Sequence, residues 1–171
     1  MEFLKRPLAI TDVETTGLDY QLHEIIEIGL VVADQKTLKV LDEWSAKIKP
    51  RKIKTAAEPA LKVAGYNKLD WLEAVSLKEA MEVYSKKTRN AIFVAQNSFF
   101  DWSFLNEAFK QVGVEDHTYY HRVDLFTISW SRSREFHGLK KFTLKEMCRY
   151  FNIEPEPMPH RALTGARKVY E

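Results

Sequence analysis

The chain has 171 residues, a formal net charge of +2 and a hydrophobic fraction of 45%. This length predicts one domain over residues 1–171, and the composition is that of an ordinary globular protein. The single cysteine, Cys148, excludes an internal disulfide, and no apolar run reaches the roughly 18 residues of a membrane span. Because the start also lacks a signal-peptide pattern, we expect a soluble cytoplasmic protein.

Basic residues are concentrated in three stretches, at 47–54, 86–89 and 132–141. Each stretch can be a solvated loop, or it can contact phosphate groups. The net charge alone is too small to argue for a nucleic-acid partner. Cys148 lies in a helical apolar pattern and is predicted to be a core residue.

The first part of the chain predicts three strands. Residues 7–13 and 24–33 are short apolar runs, and residues 39–48 alternate loosely between apolar and polar types. Their short connections predict an antiparallel meander. Residues 49–68 are rich in proline and glycine and predict a loop, with a short helical turn at 59–63.

Helices and strands alternate in the rest of the chain. Residues 71–88 predict a helix with a buried side formed by Leu72, Val75, Ala80, Val83 and Tyr84. The other elements are predicted as strands at 91–95 and 120–125 and helices at 100–112, 125–131, 144–151 and from 161 onward. The tryptophans at 44, 71, 102 and 130 fall in apolar patterns and are predicted to lie in the core. This order indicates an α/β sheet covered by helices.

Two carboxylates, Asp12 and Glu14, end the first predicted strand. Residues two apart on a strand point to the same face, so these carboxylates would lie side by side and repel each other. Hard oxygen ligands of this kind favour Mg²⁺ or Mn²⁺. For the pair alone, a polar strand end with capping carboxylates is the better explanation. The following Thr-Thr-Gly-Leu at 15–18 favours a ligand site, because glycine lets the backbone approach a ligand closely.

A second motif, Asn97-Ser98-Phe99-Phe100-Asp101, follows the predicted strand at 91–95 and opens a helix. The carboxyl end of a strand is a common place for sites in α/β sheets. The same residues can also serve only to cap the helix. From this motif alone both explanations stay open.

A third motif begins at His160, in the stretch His-Arg-Ala-Leu-Thr-Gly-Ala at the start of the last predicted helix. After Pro159, this histidine can be a plain exposed loop residue. Within reach of a metal centre it would instead act as a general base for water.

In this order, the three motifs resemble the DEDDh-type 3′–5′ exonucleases, the family that includes proofreading subunits of DNA polymerases and RNase T. The family pattern is D-x-E-T-T-G, then N-x-x-F-D, then H-x-A-x-x-D-A. The chain matches the first two motifs in full and the third at all but one position. The likeness extends into the connecting sequence at 59–66 and 142–148.

The resemblance implies a ribonuclease-H-like fold, with a five-stranded mixed sheet, antiparallel in its first three strands and flanked by helices. It implies a hydrolase that uses two Mg²⁺ or Mn²⁺ ions to remove nucleotides from the 3′ end of DNA or RNA, in repair or replication. Implied partners are a single-stranded 3′ end and either a DNA polymerase subunit or a second copy of the chain, with no membrane.

The family's functional residues map onto this chain motif by motif. By similarity, Asp12, Glu14 and Asp101 would be metal ligands, and His160 would take a proton from the attacking water. The residues expected to bind the 3′-terminal nucleotide are Thr15, Thr16, Gly17, Leu18, Asn97 and Phe100.

The chain departs from the family at Gly165, where the last aspartate is expected. Glycine offers no side-chain oxygen to a metal, and it costs about 1 kcal/mol in a helix interior relative to alanine. The neutral hydroxyl of Thr164 is a poor substitute for a carboxylate. The family's histidine before the asparagine is also replaced here, by Gln96.

Three explanations account for the missing carboxylate. Water can fill the ligand position, because Mg²⁺ readily keeps waters, with lower activity or a preference for Mn²⁺. Another carboxylate can reach in, and Glu154 and Glu156 are close in sequence. The third explanation is a degenerate exonuclease that binds nucleic-acid ends or acts as a polymerase-accessory module. The presence of His160 favours activity.

Overall fold

A computed structural model describes residues 2–171. Its five strands are β1 (Leu8–Thr15), β2 (Ile25–Ala33), β3 (Val40–Lys47), β4 (Ile92–Ala95) and β5 (Arg122–Asp124). They form one sheet in the order β3-β2-β1-β4-β5. The first three strands are antiparallel, and β4 and β5 continue the sheet in parallel from β1. The predicted five-stranded mixed sheet is therefore confirmed.

Six α-helices flank this sheet within the described residues. They are α1 (Glu58–Val63), α2 (Leu77–Lys87), α3 (Ser98–Val112), α4 (Leu125–Ser131), α5 (Leu144–Tyr150) and α6 (Ala162–Tyr170). Short 3-10 helices occur at Phe3–Lys5 and Ile53–Thr55. None of the described helices has the length and apolar character needed to cross a bilayer.

The two central strands are covered on both faces. Every residue of β2 is buried, and so are six of the eight residues of β1. On one face, β1 and β2 pack against α2 and α3 through core side chains such as Val13 and Phe104. On the other face, Ile10 and Val31 pack against α6. Because side chains alternate along a strand, Asp12 and Glu14 share the α6 face with Ile10.

The helix predicted at 71–88 begins later than its sequence pattern suggests. Ser76 caps α2 by accepting a hydrogen bond from the Glu79 backbone N–H, while the Glu79 carboxylate accepts one from the Ser76 N–H. This reciprocal arrangement is a capping box, which sets the first turn of a helix. Just upstream, Val75 forms a parallel bridge with Ile48. The prediction was wrong for residues 71–75 because sheet pairing and the cap outweigh the apolar periodicity there.

The buried side of α2 also differs from the predicted one. Ala80 and Tyr84 are fully buried, and the Tyr84 hydroxyl lies 2.9 Å from the Thr11 hydroxyl on β1. Leu72, Val75 and Val83 are exposed, and the first two precede the helix.

Three of the four tryptophans contribute to the core. Trp71 is buried, and Trp44 and Trp102 pack against the core while partly exposed. Trp130 is 62% exposed, so its predicted core position was wrong. It lies on α4, which follows β5. Among residues 2–171, no strand lies beyond β5 at this edge of the sheet. Cys148 is buried, as predicted.

The start of α6 lies directly against β2 at Gly29. A Cβ atom at position 29 would lie 2.1 Å from the backbone carbonyl carbon of Ala162. Gly29 is the pairing partner of Asp12 on β1. A glycine in the middle of β2 therefore lets α6, and the residues just before it, approach the carboxylates of β1.

Candidate active site

The three predicted metal ligands meet at the end of β1. Asp101, in the first turn of α3, is only 3% exposed, and its Oδ1 accepts a hydrogen bond of 3.0 Å from the Val13 backbone N–H. Val13 lies between Asp12 and Glu14, so this bond holds Asp101 beside the strand that carries both other carboxylates. Strand, helix and hydrogen bond together gather carboxylates that are separated by nearly ninety positions in the sequence.

Burial raises the pKa of all three carboxyls, and neighbouring negative charges raise it further. For Asp12 burial contributes most, followed by the negative charges of Asp101 and Glu14. Burial, and then the charge of Glu156, raises the pKa of Glu14 to about 8. Burial raises the pKa of Asp101 to about 7, against the lowering effect of the bond from Val13. Carboxylates packed in this way are stable only if protonated or neutralised by a cation.

The start of α3 is capped from another element. Asn97 has a left-handed backbone conformation with φ of 58°, and its side chain makes no capping bond. Asp124, at the end of β5, accepts hydrogen bonds of 3.0 Å from the backbone N–H groups of Ser98 and Thr127. It therefore caps α3 and α4 together, a role that the sequence analysis missed. The cap predicted from within the second motif does not form, and Asn97 itself is exposed.

His160 is held at the edge of the carboxylate cluster by the end of α1. Its backbone N–H donates to the Val63 carbonyl at 2.9 Å, and Nη1 of Arg161 donates to the Ala64 carbonyl at 2.9 Å. The imidazole is 40% exposed, and its Nδ1 lies 3.6 Å from Oε2 of Glu156. The structure therefore brings His160 to the carboxylates, as the third motif predicts.

Glu156 is the second residue at the edge of the carboxylate cluster. From the sequence it is only one of two candidates to replace the missing carboxylate. Its Oε1 accepts a hydrogen bond of 2.9 Å from the Arg161 backbone N–H. Glu154, the other candidate, is exposed. The side-chain ligand atoms of Glu14, Glu156 and His160 all lie within 4.8 Å of one another.

Asp12, Glu14, Glu156 and His160 line a cleft of about 310 Å³. Its walls are formed by Asp12, Val13, Glu14, Gln96, Leu144, Lys145, Glu156, Met158 and His160. Glu14 is only 8% exposed, yet among residues 2–171 no hydrogen-bond donor contacts its carboxylate. A buried, unpartnered anion among further carboxylates fits a divalent cation, which hard oxygen donors bind well.

Two other residues of the cleft, Lys145 and Gln96, were not predicted as site residues. Lys145 is exposed and brings a positive charge to the mouth of the cleft from the first turn of α5. Gln96 Nε2 donates to the Phe142 carbonyl at 2.8 Å, whereas its buried Oε1 has no hydrogen-bond partner within residues 2–171. The family-like sequence at 142–148 was the available signal for this wall.

Gly165 lies beneath Asp12. A Cβ atom at position 165 would lie 2.4 Å from Asp12 Oδ2 and 2.8 Å from its Cγ. The Asp12 carboxylate therefore occupies the space that a side chain at position 165 would need. The missing family aspartate and the position of Asp12 are two aspects of one local arrangement.

A second cavity, of about 440 Å³, adjoins the cleft at Val13 and Glu14. Its other walls are formed by Thr15, Gly17, Leu18, Ala57, Pro59, Ala60, Val63 and Phe100. Four of the six residues predicted to bind the terminal nucleotide line it. Leu18 is 83% exposed, so it offers apolar surface at the rim.

Thr16 does not line this cavity. Its side chain is fully buried, and its hydroxyl accepts a hydrogen bond of 2.9 Å from the Glu24 backbone N–H. Its own backbone N–H donates to the Glu24 carbonyl, and its carbonyl accepts from the Ala57 N–H. The structure therefore corrects the expected role of the Thr16 side chain, which joins the β1–β2 connection to the segment before α1.

A larger groove of about 580 Å³ lies between α4, α5 and α6. It is lined mainly by apolar side chains, among them Ile128, Met147 and Val169. None of the predicted site residues lines it. The carboxylate cleft is therefore the better candidate for the active site.

Residues 9–171 match the family model RNase_T, which describes an exonuclease. The chain belongs to this exonuclease family. The resemblance to DEDDh-type 3′–5′ exonucleases, drawn from three short motifs, is thereby confirmed.

Related proteins match nearly the whole chain but are much longer. The chain is 28% identical to the DNA polymerase III PolC-type of Thermotoga petrophila over 165 residues, which is 96% of this chain and 11% of that protein. It is 28% identical to the corresponding protein of Caldanaerobacter subterraneus, covering 98% of this chain and again 11% of the relative. The chain thus spans about a tenth of the length of these relatives.

Solved structures share the fold at lower identity. Exonuclease I of E. coli in complex with a dT13 oligonucleotide superposes with a TM-score of 0.81 at 14% identity, covering 96% of this chain and 39% of that one. A zinc-bound form of the E. coli exonuclease I complex with single-stranded DNA superposes with a TM-score of 0.80 at 14% identity, covering 97% of this chain and 39% of that one. This similarity establishes the fold.

Proposed function

We propose that this chain is a divalent-metal-dependent exonuclease that hydrolyses phosphodiester bonds at the 3′ end of single-stranded DNA or RNA. The observation that carries the proposal is the meeting of Asp12, Glu14 and His160 around one cleft, with Asp101 held beside them by the Val13 N–H. A cavity of the size of a small-molecule pocket adjoins that cleft.

In this proposal Asp12, Glu14 and Asp101 hold two Mg²⁺ or Mn²⁺ ions. In support, burial and neighbouring negative charges raise the pKa of all three carboxyls, and a bound cation would offset both effects. Bound there, the ions would supply electrostatic stabilisation to the attacking and leaving oxygens of a phosphodiester.

His160 is proposed as the general base. Its imidazole is partly exposed, so water reaches it, and its Nδ1 faces the negative charge of Glu156. That charge favours a proton on Nδ1 and leaves Nε2 to accept the proton of the attacking water.

The apolar cavity is proposed to hold the 3′-terminal nucleotide. Leu18 and Phe100 offer surfaces for the base and sugar, and the backbone around Thr15 and Gly17 lies beside them. Aromatic and apolar surfaces bind bases with little regard to sequence. Thr16 remains a predicted contact through its backbone only. Asn97 remains one through its backbone or its exposed side chain.

DNA is the substrate favoured by the relatives, because the E. coli exonuclease I structures contain deoxyoligonucleotides. The PolC-type relatives favour a link to a DNA polymerase. Replication or repair in the cytoplasm is part of the same proposal. A homodimer and RNA substrates are further proposals for the same site.

A second candidate function is supported by one observation, the absence of a carboxylate at position 165. In that case the domain binds nucleic-acid ends or serves as a polymerase-accessory module without cutting. The two functions share the fold and the cleft, so only an activity measurement separates them.

The test is incubation with 5′-labelled single-stranded DNA and RNA in Mg²⁺ and in Mn²⁺. His160→Ala is the negative control, and Gly165→Asp is examined in parallel. We expect stepwise shortening from the 3′ end by the parent chain and its loss in His160→Ala. Cleavage by Gly165→Asp alone would identify a degenerate site, and absence of cleavage by both folded proteins would favour the binding module.

A further inference from the structure

The cleft contains a fourth carboxylate that the family pattern does not specify. Glu156 lies in the segment Pro155-Glu156-Pro157 before α6, and its side chain is 12% exposed. It faces Glu14 and His160 across the cleft, with ligand atoms of all three within 4.8 Å of one another. Adjacent ligand atoms of an octahedral Mg²⁺ or Mn²⁺ ion lie about 3 Å apart and opposite ones about 4.2 Å apart. Small side-chain adjustments therefore suffice for a shared cation.

The two oxygens of Glu156 have different environments. Oε1 accepts a hydrogen bond from the Arg161 backbone N–H at 2.9 Å, which anchors the side chain to the start of α6. Within residues 2–171, Oε2 accepts no hydrogen bond, and it lies 3.6 Å from His160 Nδ1. The flanking prolines limit the backbone of Glu156 to few conformations. The backbone and the Arg161 N–H therefore both restrict the position of the carboxylate.

Glu14 supplies the independent sign that a ligand belongs between the two carboxylates. It is more than nine-tenths buried, lines the cleft and, within residues 2–171, receives no hydrogen bond on its carboxylate. Two carboxylates that face each other across a cleft, one of them without a donor, are stabilised by protonation or by a cation between them.

Position 165 can supply a carboxylate only if the Asp12 side chain moves, because that side chain lies against Gly165. We propose that Glu156 is the metal ligand that replaces the carboxylate missing at position 165, so that the site is Asp12, Glu14, Asp101 and Glu156. This inference rests on the proposed function for the identity of the centre, but it concerns metal binding and is tested without substrate.

The experiment measures Mn²⁺ binding to metal-free protein by calorimetry and by the electron paramagnetic resonance signal of free Mn²⁺. Glu156→Gln keeps an oxygen that can accept the Arg161 N–H bond, so the start of α6 should remain intact. Glu154→Gln, two residues away and exposed, is the matched control. Far-ultraviolet circular dichroism and urea unfolding in EDTA verify that each variant is folded.

We expect Glu156→Gln to weaken Mn²⁺ affinity by at least about tenfold, and Glu154→Gln to leave it unchanged. The double variant Glu156→Gln/Gly165→Asp should regain affinity, because it returns a carboxylate to the position used by the family. Glu156→Asp serves as a second variant that keeps the charge on a shorter side chain and should lie between the parent and Glu156→Gln.

Unchanged Mn²⁺ affinity in folded Glu156→Gln would overturn the inference. If that variant instead altered only the pH dependence of cleavage, Glu156 would be a positioning residue for His160, and the inference would also fall. Mn²⁺ binding that depends on Glu156 in a parent chain that does not cleave would support the inference and refute the proposed nuclease activity. Cleavage by the parent, together with a Mn²⁺ affinity that does not depend on Glu156, would support the proposed nuclease activity and refute the inference.

Discussion

The candidate site has two halves that the fold positions by different means. The sheet half consists of Asp12, Glu14 and Asp101, of which Glu14 and Asp101 are buried and Asp12 is half-buried. They lie on or beside β1 and are joined by the Val13–Asp101 hydrogen bond. The helix half consists of Glu156, His160 and Gly165, at and just before α6. The sheet half follows the family pattern in full, whereas the helix half departs from it at Gly165.

This difference indicates which part of such a site can vary. Strand pairing determines the positions of Asp12 and Glu14, and the bond from Val13 determines that of Asp101, so a change there would displace several packed groups together. The helix half is held by contacts between loops, such as the His160–Val63 and Arg161–Glu156 hydrogen bonds. A carboxylate can therefore be supplied from a neighbouring loop position without altering the sheet.

The largest expected effect is on the sheet half. Asp101→Asn keeps an acceptor for the Val13 N–H but removes the negative charge, so the fold should survive while cation binding suffers. We expect cleavage to fall by at least about 100-fold, since metal assistance contributes several kcal/mol to the rate. Single-turnover kinetics on labelled DNA would measure this. Near-parent rates in Asp101→Asn, with exposed Asp19→Asn as control, would remove Asp101 from the site.

The next largest effect is expected on the stability of the metal-free protein as the pH changes. The pKa of Glu14 is 4.5 in its ordinary state and about 8 in the fold. The unfolded chain thus ionises first, so the contribution of Glu14 to the free energy of unfolding is largest below pH 4.5 and falls as the pH rises to about 8, by on the order of a few kcal/mol. Asp101 adds to this fall between its ordinary 3.8 and about 7.

Urea unfolding in EDTA across this pH range would measure the effect. Glu14→Gln should flatten the profile, exposed Glu73→Gln should not, and added Mn²⁺ should restore stability to the parent at high pH. An equally steep profile in Glu14→Gln would show that other groups cause the fall.

A smaller effect is expected where the two halves meet. Gly29→Ala places a methyl group against the Ala162 backbone, which cannot rotate away, so α6 must shift. We expect a loss of about 1–3 kcal/mol in unfolding free energy, together with lower activity. Gly165→Ala is the matched comparison and should cost less, because it meets the movable Asp12 side chain. Equal costs in urea unfolding would contradict the proposed docking of α6.

The smallest effect should come from Lys145 at the mouth of the cleft. Lys145→Ala removes one positive charge beside the proposed phosphate path, so single-stranded DNA should bind a few-fold more weakly at low salt. The slope of log affinity against log salt should fall by about one. Fluorescence anisotropy would measure both quantities, with Lys78→Ala on α2 as control. An unchanged slope would place the bound strand away from Lys145.

Local sequence patterns predicted the sheet half well for a physical reason. Asp12 and Glu14 share a face because strand side chains alternate, and this follows from two neighbouring positions alone. The second motif placed Asp101 at the start of a helix after a strand, although its bond to Val13 could not be predicted. Where local signals competed, prediction suffered. Apolar periodicity at 71–75 suggested helix, although Ser76 and Glu79 already carried the pattern of a capping box.

The sequence by itself determined the three ordered motifs, the mixed sheet and membership of an exonuclease family. It also showed that position 165 lacks a carboxylate, and it could name Glu154 and Glu156 only as equal candidates. Tertiary structure alone decided that Glu156 faces Glu14, while Glu154 is exposed. The reason is that a loop side chain has no periodicity to direct it. The direction of Glu156 depends on the packing of α6 against Gly29 and on the Arg161 N–H that anchors the carboxylate.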